Sequence, residues 1–215
     1  MKVISLWSGG KDSCLACYKA KSEGYNIMGL LNFTTISEIS SLSHGLSAEV
    51  IGRQAKMTGI PSFQKAMPKD GYRDEFKALI GEWQRTKGIE GIVFGDIYLT
   101  SHKEWIDSVC QELCVTPVMP IWGKDTTSLI NEFMNLGFKA IIVATRADKL
   151  GQEWLGREID TDLMKEFEDM GNIDPCGENG EFHTFVYDGP PFKEKVKFNK
   201  GKKTLQNDRW FLEVL

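Results

Sequence analysis

Ser8-Gly9-Gly10-Lys11-Asp12-Ser13 crowds two glycines, a lysine, an acid and two hydroxyls into six positions near the start of a 215-residue chain. Adjacent glycines admit positive φ and close approach of a ligand, so successive backbone N–H groups converge on phosphate oxygens. Ser8 and Ser13 add hydroxyl donors. Lys11 adds a point charge for a polyphosphate, and Asp12 a carboxylate that serves a magnesium ion through its waters. A helix expected over Cys14 to Lys21 brings the positive end of its dipole to the same place. The spacing is not that of a Walker A loop, nor the Gly-x-Gly-x-x-Gly of dinucleotide folds, which disfavours a GTPase-like motor or a dehydrogenase. A tight strand-to-helix turn using Gly-Gly for geometry alone would not need the lysine and both serines.

Further residues have chemistry to offer. Glu178, Glu181 and His183 fall in a Gly/Asn-rich turn with Asn179, Gly180 and Thr184, a set suited to binding ammonium, deprotonating ammonia or recognising an acceptor. The competing view is a solvated acidic loop with one incidental histidine. Asp96 follows an apolar strand and Gly95, the carboxyl-end location where α/β sheets put ligand contacts, although a turn-forming Asp would look the same. His44 precedes a helix and is a weaker candidate. Cys14 with Cys17, and Cys110 with Cys114, have spacings that could meet on a helix. Small buried helix residues explain both pairs, and no four-ligand metal pattern is completed.

Positioning these residues requires a parallel sheet. Apolar runs at Val3 to Leu6, Ile27 to Phe33, Pro61 to Phe63, Ile89 to Phe94 and Val115 to Ile121 alternate with amphipathic segments, the pattern of strands joined by crossover helices. Phe76, Leu79, Ile80 and Trp83 repeat at helical spacing before Gly88, as do Trp105, Val109 and Leu113. Leu129, Ile130, Phe133 and Leu136, ending at Gly137, lead into an apolar strand over Phe138 to Thr145, read as the last βα unit. From about Ala147 the character changes to a short acidic helix around Thr161 to Met170, a Gly/Pro/Asn-rich stretch at Gly171 to Gly180, and short strands. The expected organisation is a nucleotide-binding lobe over 1–124 and a smaller α+β lobe over 125–215, with the site in a cleft between them.

Composition narrows the classes. With 41% hydrophobic residues the chain is neither disordered nor a disulfide-stapled miniature. A net charge of -4 argues against a nucleic-acid backbone as the main partner. Six lysines lie between Lys193 and Lys203, but Lys195 and Lys197 alternate with Val196 and Phe198, as in a half-buried strand with one solvated face. No apolar run spans a bilayer and no signal sequence is visible, so a cytoplasmic protein without a membrane partner is expected, with its five cysteines reduced.

Ser8 to Ser13 resembles the pyrophosphate loop of the N-type ATP pyrophosphatases, which cleave ATP to AMP and pyrophosphate on the Rossmann-like adenine nucleotide alpha-hydrolase fold. Six further segments resemble, in order, the diphthine-ammonia ligase family, also called diphthamide synthase: Ser43-His44-Gly45, Gly59-Ile60-Pro61, Trp122-Gly123-Lys124-Asp125, Asn135 to Lys139, Trp154-Leu155-Gly156-Arg157 and Glu178 to Phe182. The resemblance implies an ATP-dependent, AMP-forming amide ligase, with magnesium and ammonium, acting on elongation factor 2 that carries diphthine. A homodimer is compatible with it.

On that resemblance Ser8, Gly9, Gly10, Lys11, Asp12, Ser13, Gly95 and Asp96 bind nucleotide. Lys11, Asp12, Glu178, Glu181 and His183 are catalytic, His44, Asn179, Gly180 and Thr184 bind the acceptor, and Asp12 serves magnesium. No glutaminase lobe is visible, so free ammonium is the expected nitrogen source.

Two departures stand out. Asn179 and His183 replace a Gly and a Glu of the family's Glu-Gly-Gly-Glu-Phe/Tyr-Glu-Thr, and Gly95-Asp96-Ile97 with His102 to Trp105 stands where the ligases have Gly-Ala-Ile and Tyr-Gln-Arg. These look like a bacterial-type branch associated with cobalamin salvage, which implies a small-molecule carboxylate in place of the protein acceptor. The pyrophosphate loop is also compatible with tRNA thiolation and with nucleotide binding without turnover. Thiolation would call for catalytic cysteines and a basic RNA face.

Overall fold

The computed structural model describes residues 1–35, 44–68 and 70–215; Ser43, part of one motif above, lies outside them. Five strands, β1 (Lys2–Leu6), β2 (Asn26–Thr35), β3 (Ser62–Met67), β4 (Gly91–Val93) and β5 (Thr116–Val118), form a sheet in the order β3-β2-β1-β4-β5. Every neighbouring pair is parallel. Crossover helices α1 (Lys11–Ser22), α2 (Ala48–Thr58), α3 (Tyr72–Lys87) and α4 (Thr100–Leu113) join them. From β1 the chain goes to β2 on one side, and β4 later pairs on the other. The order therefore reverses between β1 and β4, and a crevice opens beyond their carboxyl ends.

Both faces of this Rossmann-like sheet are covered, as parallel sheets require. Ile4, Leu31 and Ile92 pack with Phe76 and Ile80 of α3 and Val109 of α4. Val3, Leu30 and Val93 point the other way and join Leu15 and Ala20 of α1, Ile51 of α2 and the apolar interior of the C-terminal half in one continuous core. Burying each such Ile, Leu or Phe contributes about 1.5–3 kcal/mol.

The C-terminal half begins with α5 (Thr126–Asn135), whose first turn is capped by Asp125 accepting from the Ser128 N–H at 2.7 Å. A second sheet of four strands has the order β7-β6-β9-β8, with β6 (Lys139–Arg146), β7 (Phe182–Asp188), β8 (Lys200–Gln206) and β9 (Arg209–Val214), all antiparallel. This corrects the reading of Phe138 to Thr145 as a last βα unit. Residues Ala140 to Ala144 are buried on both faces, so the run looks like a parallel core strand, but its partners are β7 and β9. Helix α6 (Thr161–Met170) coincides with the acidic helix expected.

Two other expectations shift. The run Val115 to Ile121 contributes only Thr116–Val118 to the sheet, because Pro117 offers no N–H and Pro120 follows. Lys193 to Asn199 is not a ladder strand: Val196 alone is buried, its N–H donating to the Tyr187 carbonyl at 2.8 Å, and the lysine-bearing strand starts at Lys200.

Candidate active site

The turn after β1 is built so that its backbone faces the crevice. Gly9 has φ +83°, a conformation that favours glycine, and Gly10 caps α1 without a side-chain hydrogen bond. A Cβ at Gly10 would run into Nε2 of His44. The Ser8 and Ser13 hydroxyls are 3.1 Å apart, the Gly10 N–H donates to Ser8 Oγ at 3.3 Å, and Ser13 Oγ donates to the Gly10 carbonyl at 3.0 Å.

Gln54 of α2 clamps this loop from behind. Fully buried, it donates through Nε2 to the carbonyls of Gly9 (2.8 Å) and Val186 (2.7 Å) and accepts the Trp7 indole N–H at 2.7 Å. Val186 in turn donates its N–H to the Gly9 carbonyl at 3.0 Å. The loop is thereby tied to the second sheet as well as to the first.

Lys11 lies at the junction of the two halves. Only 3% exposed, it donates its backbone N–H to Thr184 Oγ1 at 3.0 Å. Its Nζ donates to Asp12 Oδ2 at 2.9 Å and to the Cys176 carbonyl, and stands 5.2 Å from the Phe182 ring centroid. Burial disfavours the ammonium, but Asp12, Cys176 and Glu178 outweigh it, and the Lys11 pKa is raised. The Asp12 carboxyl is raised too, by burial against the opposing pull of Lys11.

The acid-rich turn is organised by Asp174, whose Oδ1 accepts the N–H groups of Cys176 (2.9 Å) and Glu178 (3.2 Å). Glu178 reaches across to the β4 turn and accepts the Ile97 N–H at 2.9 Å. Burial, with Asp12 and Asp96 nearby, pushes its carboxyl up to about 6 against that hydrogen bond. Glu181 lies beneath the turn at 3% exposure, accepting from the Asp174 N–H and the Asn179 amide, both at 3.3 Å. Its Oε2 has no hydrogen-bond partner among the described residues. Arg209 holds the Gly180 carbonyl at 3.1 Å.

A cleft of about 380 Å³ is lined by Ser8, Lys11, Asp12 and Ser13 from the first turn, His44 before α2, Gly95 and Asp96 after β4, and Glu178, Gly180, His183 and Thr184 from the second half. That volume lies in the range of small-ligand sites. Of the residues singled out from the sequence, Glu181 is buried outside the cleft lining, Asn179 is exposed to solvent and does not line it, and Gly9 and Gly10 contribute backbone geometry beneath it.

The His44 and His183 rings meet at 4.7 Å. Burial pushes His183 down to about 3, aided by Arg209 and Lys11, and pushes His44 well below its ordinary value, aided by His183 and Lys11. Both stay neutral. Gly95 is pressed on α1, where a Cβ would come 2.9 Å from the Ser13 N.

Sequence reading passed over Gln54, Asn32, Tyr72 and Asp174, and met His102 only as part of the departure at His102 to Trp105. Gln54 had a signal, a polar residue inside the buried helical stripe Val50, Ile51, Gln54, Ala55, Thr58. Asp174, before Pro175, had the turn chemistry of an Asx motif. Asn32, Tyr72 and His102 reach the cleft only through the tertiary fold.

The donor set fits a nucleotide: an uncapped helix N-terminus, a positive-φ glycine, hydroxyls and a buried lysine converge on one crevice. Among the described residues no group of three or more His, Cys, Asp or Glu could hold a metal ion. Burial raises the thiols of Cys14, Cys17 (to about 11), Cys110 (to about 11) and Cys176 (to about 12), so none of these four is a thiolate at neutral pH. Among the described residues no helix is long and apolar enough to cross a membrane.

The model of the diphthamide synthase N-terminal domain matches residues 1–117, and that of the C-terminal domain matches residues 125–215. The chain belongs to the diphthamide synthase family. A diphthine–ammonia ligase of Danio rerio is 26% identical over 239 residues, covering 100% of this chain and 92% of that protein. One of Homo sapiens is 24% identical over 238 residues, covering 100% and 89%. One of Schizosaccharomyces pombe is 27% identical over 220 residues, covering 91% of this chain but 36% of its own length. In diphthamide synthase terms, the two matched domains meet at the cleft: residues 8–13 belong to the first and residues 178–184 to the second.

Proposed function

We propose that this protein is an ATP-dependent, AMP-forming amide ligase of the diphthine–ammonia ligase type. The observation that carries the reading is the junction at Lys11. The residue that begins the phosphate-loop helix is bonded through its N–H to Thr184 and through its Nζ to Cys176, so nucleotide and acceptor loops share one cleft. Family membership supplies the reaction class, and residues 1–124 and 125–215 act as nucleotide and acceptor lobes.

In the reaction the acceptor carboxylate attacks the α-phosphorus, pyrophosphate leaves, and ammonia displaces AMP from the acyl adenylate. The loop N–H groups, Ser8, Ser13 and Lys11 bind and neutralise the polyphosphate, since such chemistry is largely positioning and electrostatics. Asp12 would hold a magnesium ion through its waters, and the ion would supply further charge neutralisation.

Releasing Lys11 from Asp12 and Cys176 toward phosphate would free the carboxylate for that ion's waters. Glu178, its carboxyl pushed up to about 6 by burial, faces the cleft where ammonium enters. His44, His183 and Gly180 shape the acceptor side, and Asn179 and Glu181 brace the turn. The acceptor in this reading is elongation factor 2 carrying diphthine, which makes the cytoplasm the compartment of the reaction.

The test is incubation with α-labelled ATP, magnesium, ammonium and diphthine-bearing elongation factor 2. Equimolar AMP and amidated acceptor are expected. ADP as the nucleotide product, or AMP with an unchanged acceptor, contradicts the reading.

A further inference from the structure

We propose that His102, held by Asp96, takes the proton from the nitrogen nucleophile that enters the cleft; the inference rests on the ligase reading above. His102 is the third residue of α4, and its Nδ1 lies 2.8 Å from Asp96 Oδ1, with both side chains on the cleft wall. A carboxylate on Nδ1 fixes the tautomer that carries hydrogen there and leaves Nε2 as an acceptor. At 56% side-chain exposure the ring is not sealed in apolar surroundings, whereas Asp96 at 24% is the more anchored partner.

The dyad is carried to the reaction by the backbone. Gly95 lets the β4 turn lie against the first turn of α1, and Glu178 pins the next residue by accepting the Ile97 N–H. Asp96 therefore sits beside the phosphate loop and close to Glu178 of the acid-rich turn.

The chain has three histidines, and the other two are unsuited to this task. His44 and His183 face each other at 4.7 Å beside cationic Lys11, with Arg209 adding its charge at His183. A proton arriving there would join existing positive charge. His102 instead has a carboxylate to compensate the imidazolium it would form.

Ammonium has no free electron pair and cannot attack. Transfer of one proton to His102 Nε2 frees the nitrogen pair, which forms the C–N bond to the acyl adenylate carbon. The C–O bond to AMP then breaks, with its electron pair leaving on the AMP phosphate, and the second proton passes to water. Asp96 acts as the positioning residue.

The experiment compares wild type, His102→Gln and Asp96→Asn at one pH, with saturating ATP and diphthine-bearing elongation factor 2, using ammonium and then hydroxylamine, which is already neutral at pH 7. His102→Gln should lower kcat/KM for ammonium by about 10²–10⁴-fold, the usual worth of a positioned general base. With hydroxylamine the loss should be far smaller, and Asp96→Asn should change the ratio between nucleophiles in the same direction. Equal losses with both nucleophiles, at unchanged thermal midpoint, overturn the proposal, as does full ammonium activity in His102→Gln. Wild type that forms no amide from either nucleophile overturns the ligase reading together with the dyad's role, whereas wild-type amidation with insensitive variants overturns the dyad alone.

Discussion

Lys11 concentrates the chemistry of the cleft at a single side chain, a buried cation whose partners, Asp12 and the Cys176 carbonyl, come from both halves of the chain. Replacing it, Lys11→Met, removes the charge proposed to neutralise the polyphosphate, and AMP formation should fall by about 10²–10³-fold, the cost of one preorganised donor. Steady-state AMP release measures this, and a loss under about threefold would contradict the role. The neutral histidines make a second prediction. Unfolded, His44 and His183 take up protons near 6.5; folded, His183 does not until about 3, and His44 is also pushed well down. The unfolded state therefore binds more protons below 6.5, and stability is lost as pH falls through that window. Glu178, raised from 4.5 to about 6, and Asp12, also raised, work the other way, so the part due to His183 is read from its variant. The thermal midpoint should drop between pH 7 and pH 5, and His183→Gln should flatten the drop; an unchanged slope would show that His183 is not the cause.

Elements decide where these side chains stand, and here the sequence was legible unevenly. The β1 turn and α1 follow from Gly-Gly-Lys after an apolar run, and α6 from its acidic amphipathic pattern bounded by Asp160 and Gly171. The direction of β6 was not legible, since an apolar run buried on both faces has the same periodicity in a parallel or an antiparallel sheet. The clamp by Gln54 joins α2 to a loop 45 residues away and to Val186, 132 residues away, a relation that periodicity alone cannot encode. Gln54→Leu removes three hydrogen bonds inside the core, although the Gly9 carbonyl keeps the Val186 N–H, and should cost about 2–4 kcal/mol in urea unfolding, given about 1–3 kcal/mol for each buried polar group left unmet. A cost below the error of the urea midpoint would refute the clamp. Gly95→Ala sets a Cβ against the backbone of Asp12 and Ser13, which cannot swing aside as a side chain would. Overpacking of this kind costs about 1–3 kcal/mol. The loop should shift, so that ATP raises the thermal midpoint of the variant less than that of wild type; an undiminished rise would show that the β4 turn does not shape the nucleotide site.

At the scale of the molecule, the two sheets share a continuous core in which Val3 and Leu15 belong to the same apolar cluster as Phe185 and Leu212, so the cleft is flanked by halves already packed together. The phosphate loop was readable as six residues near the N-terminus, and the acid-rich turn, proposed above to face the acceptor, as a second short motif. Their meeting at Lys11, and the neutrality of His44 and His183, come from burial produced by the whole fold. The central claim is that a carboxylate on the acceptor is activated by attack on the α-phosphorus of ATP. The most direct measurement places a heavy-oxygen label in the carboxylate of diphthine-bearing elongation factor 2 and follows it through one turnover with ATP and ammonium by mass spectrometry. Activation by that attack puts one labelled oxygen in the phosphate of AMP and none in pyrophosphate; label in inorganic phosphate, with ADP as co-product, would contradict it.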